Sequence, residues 1–178
     1  MIFRKILLIL SLQFSLFANS VYNLNLLDFQ AKVFPKIIIS DNNFENKLVK
    51  NKIILSILYE DIDYDIAEIL KDKIEKNYSS LKDYTFEVEI LKYNEFDVKN
   101  LSTAYLFLLG KKEKLLEISK ILENNNRLSF AYDDSYLKFG LIFGLTISSK
   151  IDIFLNIEAL KNSKIELQNS IFSVIKIK

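Results

Sequence analysis

The chain of 178 residues contains no cysteine and no histidine. Without His it lacks the usual general base near neutral pH and the commonest transition-metal ligand. Without Cys it can have no thiol nucleophile, thiolate metal site or disulfide. Ser-His-Asp and Cys-His catalysis and zinc or haem sites built on His or Cys are excluded together, which leaves carboxylate, Lys, Tyr and oxygen-ligand chemistry. Three glycines and a single proline argue against collagen-like, linker-rich or multi-turn all-β designs. Arg4 and Arg127 are the only arginines among 24 basic residues. Arg dominates bidentate base and phosphate recognition, so a chain with so little of it and a formal charge of +1 is not expected to bind nucleic acid.

Half of the residues are apolar and 13% are aromatic, enough to bury a core within one domain of this length. Residues 1–20 read as a signal peptide. Arg4 and Lys5 form a basic start, Ile6 to Phe17 an apolar stretch, and Ala18-Asn19-Ser20 a small-x-small cleavage signal. An apolar stretch of that length is too short to span the bilayer core, which takes about 20 residues. An uncleaved anchor or a buried first helix are the alternatives. On the signal-peptide reading the mature domain is 21–178, exported to the periplasm. Loss of Arg4 and Lys5 then takes the formal charge from +1 to −1. Such a domain would rely on its core, without disulfide staples.

Apolar spacing from Asn23 to Phe34 predicts a helix ended by Pro35, with Ile37-Ile38-Ile39 extended after it. Asp41–Asn51 reads as a loop with a helical turn near Phe44–Leu48. Ile53–Tyr59 and Ala104–Leu109 are apolar runs of the kind found in strands buried on both faces. Asp65–Tyr78 carries Ile66, Ile69, Leu70 and Ile74 on one stripe, and Lys112–Glu123 carries Leu115, Leu116, Ile118, Ser119 and Leu122. Both predict amphipathic helices. Thr85–Leu91 alternates as a half-exposed strand, and Leu128–Tyr132 is a short strand before the Asp133-Asp134-Ser135 turn. Phe139–Ile147 and Ile151–Ile157 suggest a hairpin through Ser148-Ser149-Lys150, with a helical turn over Glu158–Asn162. The tail Ile165–Ile177 fits helix or strand. Together these predict a single-domain α/β three-layer sandwich, its sheet mostly parallel with an antiparallel C-terminal hairpin.

Motifs with chemical meaning are few. Asp61, Asp63 and Asp65 open like a calcium loop, but Ile66 and Asp72 stand where an EF-hand needs Gly and Glu. The residues read instead as a solvated loop, with Asp65 capping the following helix. Glu60 and Asp61 could form a phospho-receiver pocket, but a later central strand would have to end in an acceptor Asp, and Gly110-Lys111-Lys112 stands there. That triplet lacks the frame of a P-loop. A glycosidase pair of carboxylates cannot be recognised in one sequence. Neither an enzyme nor a cofactor is expected.

The C-terminal third carries the most specific pattern: Phe139-Gly140-Leu141-Ile142, the strand Ile151–Ile157 with Asn156, then Ala159, then Ile165–Ile175 with Asn169-Ser170. This resembles the YfiR family of exported proteins, whose end runs roughly Gly-Gly-Met-Ile, Phe-Glu-Ile-Asn, Ala, Leu-x-Ser-Ser-x-Leu-Leu. Phe34-Pro35 is similar to the Trp-Pro that closes the family's opening helix. The matching positions, structural in character, are Pro35, Gly140, Asn156, Ala159, Asn169 and Ser170. Phe139 and Asn169 depart from the pattern, as does the lack of cysteines, which rules out redox sensing through thiols. The resemblance implies a periplasmic α/β domain that represses a membrane-bound signalling protein of diguanylate cyclase type, with cyclic-di-GMP signalling and biofilm formation downstream. The alternative is a periplasmic small-ligand-binding protein. Its cleft would lie at the strand carboxyl ends, near Glu60, Asp61, Asp63, Lys111 and Lys112. A homodimer is compatible with either reading.

Overall fold

In the computed structural model, which describes residues 21–178, strands and helices alternate much as the periodicities predict. Helix α1 (Leu24–Ile38) is followed by β1 (Ile53–Tyr59), α2 (Tyr64–Asn77), β2 (Ser80–Leu81), β3 (Tyr84–Lys92), β4 (Ala104–Phe107) and α3 (Lys112–Asn124). Then come β5 (Leu128–Ala131), β6 (Phe143–Ile147), β7 (Ile151–Leu155), α4 (Ile157–Asn162) and β8 (Ile175–Ile177). The signal-peptide reading of residues 1–20 lies outside the described residues. Among the described residues no helix is long and apolar enough to cross a membrane.

The described strands form one eight-stranded sheet in the order β2-β3-β1-β4-β5-β6-β7-β8. The run β3-β1-β4-β5-β6 is parallel throughout, β6–β7 is the antiparallel hairpin, and β8 returns parallel to β7. All seven residues of β1 and all four of β4 and of β5 are buried. Because successive side chains point to opposite faces, such strands need cover on both sides. On one face Ile53, Leu55, Ile57, Phe86, Leu106 and Phe130 pack with Leu27, Ala31 and Phe34 of α1 and with Ala67, Leu70 and Ile74 of α2. On the other face Leu58, Tyr105, Phe107 and Ala131 pack with Leu115, Ile118 and Leu122 of α3. Helix α3 buries three of its predicted apolar residues, while Leu116 is 42% exposed.

Two local expectations are corrected, and the open choice for the tail is resolved. Helix α1 does not stop at Pro35; it runs through it to Ile38, so Ile37 and Ile38 are helical and Ile39 is the cap. Proline has no N–H to give the Ala31 carbonyl. The last turn is held instead by burial of Phe34, Pro35, Ile37 and Ile38 and by the Ser40 hydroxyl donating to the Ile37 carbonyl (2.6 Å). Phe139 is not in a strand; it ends a 3₁₀ turn, Asp134–Phe139, which is closed by Gly140 at φ 89°. Gly140 thus occupies the left-handed region that glycine tolerates. The tail resolves into a bridge between Leu167 and Asp41, a 3₁₀ turn over Asn169–Ser173, and β8.

Asn156 and Ala159 follow the end of β7. The Asn156 carboxamide accepts from the Ala159 N–H (3.0 Å), capping α4, and donates to the Leu137 carbonyl (2.8 Å), tying the 3₁₀ turn to the hairpin. Ala159 is buried. Loss of both bonds in Asn156→Ala is expected to cost about 1–2 kcal/mol. Urea unfolding should show a lower midpoint with an unchanged slope.

Candidate functional site

A parallel sheet gathers the carboxyl ends of its strands on one rim. Strand β1 leaves that rim toward α2 on one face, and β4 leaves it toward α3 on the other. Where neighbouring strands depart in opposite directions a crevice opens between them, and in open α/β sheets this is where ligands bind. Here the crevice is floored by the exits of β1 and β4. From β1 come Glu60 and the 3₁₀ turn Asp61–Asp63; from β4 come Leu108, Leu109, Gly110 and Lys111.

Two adjoining depressions occupy the crevice and share Glu60, Asp61 and Lys111. One, of ≈ 300 Å³, is completed by Tyr59, Lys92, Tyr93, Asn94 and Lys114. The other, of ≈ 430 Å³, is completed by Ile62, Asp63, Leu109 and Gly110. Four of the five residues expected at a strand-end cleft, Glu60, Asp61, Asp63 and Lys111, therefore come together. Lys112, the first residue of α3, is exposed and lines neither depression.

Charges of both signs face the crevice. Asp61 pairs with Lys92 at 2.6 Å, across the β1–β3 register that sets Tyr59 beside Lys92. The paired carboxylate raises the pKa of Lys92. Lys114 pairs with Glu117 one turn along α3. Glu60 and Lys111 belong to none of the ion pairs among the described residues.

Asp63 is the correction at this site. The sequence predicts a solvated loop here, with Asp65 capping the helix that follows. Instead Asp63 is only 9% exposed and stands at the helix N-cap without capping, while Asp65 lies in the first turn of α2. The Asp63 carboxylate accepts from the Tyr22 hydroxyl, which in turn accepts from the Leu109 N–H (2.9 Å). Burial pushes the Asp63 pKa up, the Glu60 charge adds to this, and the Tyr22 hydrogen bond opposes both. Asp41 and Lys47, a buried ion pair, lie where α1 ends rather than at this rim.

Tyrosines collar the rim. Tyr93 is buried, its pKa raised well above normal chiefly by that burial, and its hydroxyl donates to the Leu108 carbonyl (2.7 Å). A Cβ at Gly110 would lie 2.7 Å from the Tyr93 ring, so the β4 exit passes against the ring only because position 110 has no side chain. Tyr132, at the end of β5, accepts from the Asn23 N–H (2.6 Å) and packs on Tyr22 with ring centroids 4.6 Å apart. Sequence reasoning missed Tyr22, Lys92, Tyr93 and Lys114. Lys114 had a signal, one helical turn beyond Lys111, whereas Tyr22 and Tyr93 reach the rim only through tertiary packing. Among the described residues no group of three or more Asp or Glu is placed to hold a metal ion.

No protein-family model and no curated protein sequence matches this chain. Solved structures do resemble it. A conserved domain protein from Vibrio cholerae O1 biovar El Tor str. N16961 superposes with a TM-score of 0.57 at 11% identity, over 85% of this chain and 59% of that one. The ABC domain in complex with L-Trp from Streptococcus pneumoniae superposes with a TM-score of 0.53 at 10% identity, over 79% of this chain and 61% of that one. At such identities the likeness shows the α/β fold alone. The chain spans about three-fifths of the length of each.

The buried carboxylate gives a pH-dependent prediction. Its folded pKa is above 3.8, so ionisation penalises the fold above that pH, and below it the group is protonated in both folded and unfolded states. Asp63→Asn keeps an acceptor for Tyr22 without the charge. It should raise the Tm at pH 7 by about a few degrees, and this gain should vanish below pH 3.8. An equal or lower Tm for the variant at pH 7 would contradict this account of Asp63.

Proposed function

We propose that this protein is a binding module rather than an enzyme, and that its strand-end crevice takes a small zwitterionic molecule of amino-acid type. The observation that carries the reading is the pair Glu60 and Lys111: opposite charges lining the same two depressions, neither engaged in an ion pair among the described residues. A ligand with an ammonium and a carboxylate would complement both, with Asp63 and Lys114 close by to assist. Its apolar part would lie against Leu109, Ile62 and the Tyr93 ring, matching the usual mix of apolar lining and few fixed polar groups. The L-Trp held by the Streptococcus pneumoniae domain supports this ligand class. The lack of His and Cys supports binding over catalysis.

A second reading follows the YfiR-like signature: an exported regulator that docks on a membrane-bound signalling protein and represses it. Exposed apolar side chains on the last two strands and the turn before β8 favour it, namely Ile151, Phe172, Val174 and Ile177. The two readings are compatible if ligand occupancy biases docking.

Calorimetric titration of the purified protein with the common amino acids tests the first reading. At least one should bind with saturable heat and raise the Tm. Lys111→Glu should weaken it at least about tenfold, as expected for loss of a hydrogen bond to a charged group. Lys112→Glu, one residue away but outside the lining, should change it less than about twofold. If none binds at millimolar concentration the crevice reading fails and docking remains.

A further inference from the structure

We infer that a groove between the second half of α1 and the C-terminal turn is a second binding site, for a single-chain anionic amphiphile such as a long-chain carboxylate. It lies far along α1 from the crevice. Helix α1 starts beside Tyr132 at the carboxyl rim, and its last turns lead into the Asp41–Lys47 segment, whose Lys47 carbonyl meets Thr103 just ahead of β4. The inference does not depend on the crevice having a ligand.

The groove has a volume of ≈ 400 Å³, within the usual range of small-molecule sites. Its apolar surface comes from Val33, Ile37 and Ile39 on one wall, Ile153 of β7, and Ile171 and Val174 on the other wall. The walls are joined by backbone bonds: the Gln168 N–H donates to the Ser40 carbonyl (2.8 Å) and the Asn42 N–H to the Glu166 carbonyl (2.8 Å). The cavity is therefore built in advance of any ligand. Ser170, one of the YfiR-like signature positions, lines it.

Charge identifies the occupant. Lys32 and Lys36 lie one turn apart on α1, flanking Val33 and Ile37 on the same side of the helix, and Lys82 comes from the turn between β2 and β3. All three line the groove, and no carboxylate does. Eight other lysines among the described residues are ion-paired, but none of these three is. Lys82 instead rests over the Phe44 ring, 4.4 Å from its centroid. An apolar trough edged by unpaired ammonium groups complements one apolar chain ending in an anion. It offers a cationic or neutral amphiphile no partner for its head.

The test is calorimetry with dodecanoate below its critical micelle concentration, with dodecyl maltoside and dodecyltrimethylammonium as controls of equal tail. Dodecanoate should bind saturably and both controls at least about tenfold more weakly, as expected for loss of charged hydrogen bonds. From octanoate to dodecanoate the affinity should rise about two- to fourfold per methylene, the factor given by burying each CH₂. The double variant Lys32→Glu/Lys36→Glu should lose at least about tenfold. Val174→Glu should lose as much, and Val174 is exposed enough (63%) for the fold to tolerate the change. Lys111→Glu should leave dodecanoate binding unchanged, which separates this site from the crevice. The proposal is overturned if dodecyltrimethylammonium binds as well as dodecanoate or the double lysine variant retains full affinity. It is equally overturned if dodecanoate does not bind, including the case in which only anionic phosphatidylglycerol vesicles do.

Discussion

Burial of β1 and β4 on both faces is the constraint from which the architecture follows. A strand whose every side chain is covered leaves no face for water, so helices must lie on both sides of the sheet. The chain leaves β1 toward one layer and β4 toward the other. With all the central strands parallel, both departures occur on the same rim, and a crevice between them is unavoidable. The apolar runs that build the core thus also place Glu60–Asp63 opposite Gly110–Lys111.

The crevice exposes backbone at strand ends, where ladder partners run out. Tyrosine hydroxyls serve these groups: Tyr22 for the Leu109 N–H, Tyr93 for the Leu108 carbonyl, and Tyr136 for the Gly110 N–H (3.4 Å). A phenol suits the task, because its ring extends the core while its hydroxyl both donates and accepts. The same packing dries Asp63 and raises its pKa. At the far end of α1, polar and apolar groups are arranged in the other manner, with lysines edging an apolar trough.

The parts of the fold that could be read directly are those set by one-dimensional periodicity. The uninterrupted runs Ile53–Tyr59 and Ala104–Leu109 indicated doubly covered strands, and the three- and four-residue spacings over Asp65–Tyr78 and Lys112–Glu123 indicated the helices that cover them. Pro35 misled because its local preference against helix was overcome by burial of its own ring and its neighbours. Asp63 misled because an acidic loop reads as solvated, whereas tertiary packing buries it and brings the Tyr22 hydroxyl to its carboxylate. At the crevice, strand-end position indicated that Glu60, Asp61, Asp63 and Lys111 share one rim, and they do. It could not separate Lys111 from Lys112, since their difference is the direction in which α3 begins. The lysine-edged groove had no sequence signal, because its walls are more than a hundred residues apart in the chain.

The most direct test of the crevice is an amide chemical-shift map of the ¹⁵N-labelled protein titrated with the amino acid that binds most tightly. The account predicts saturable shifts concentrated at Glu60–Asp63 and Leu109–Lys114, the two strand exits, with the hairpin of β6 and β7 unmoved. Shifts centred anywhere else, or uniform shifts without saturation, would contradict it.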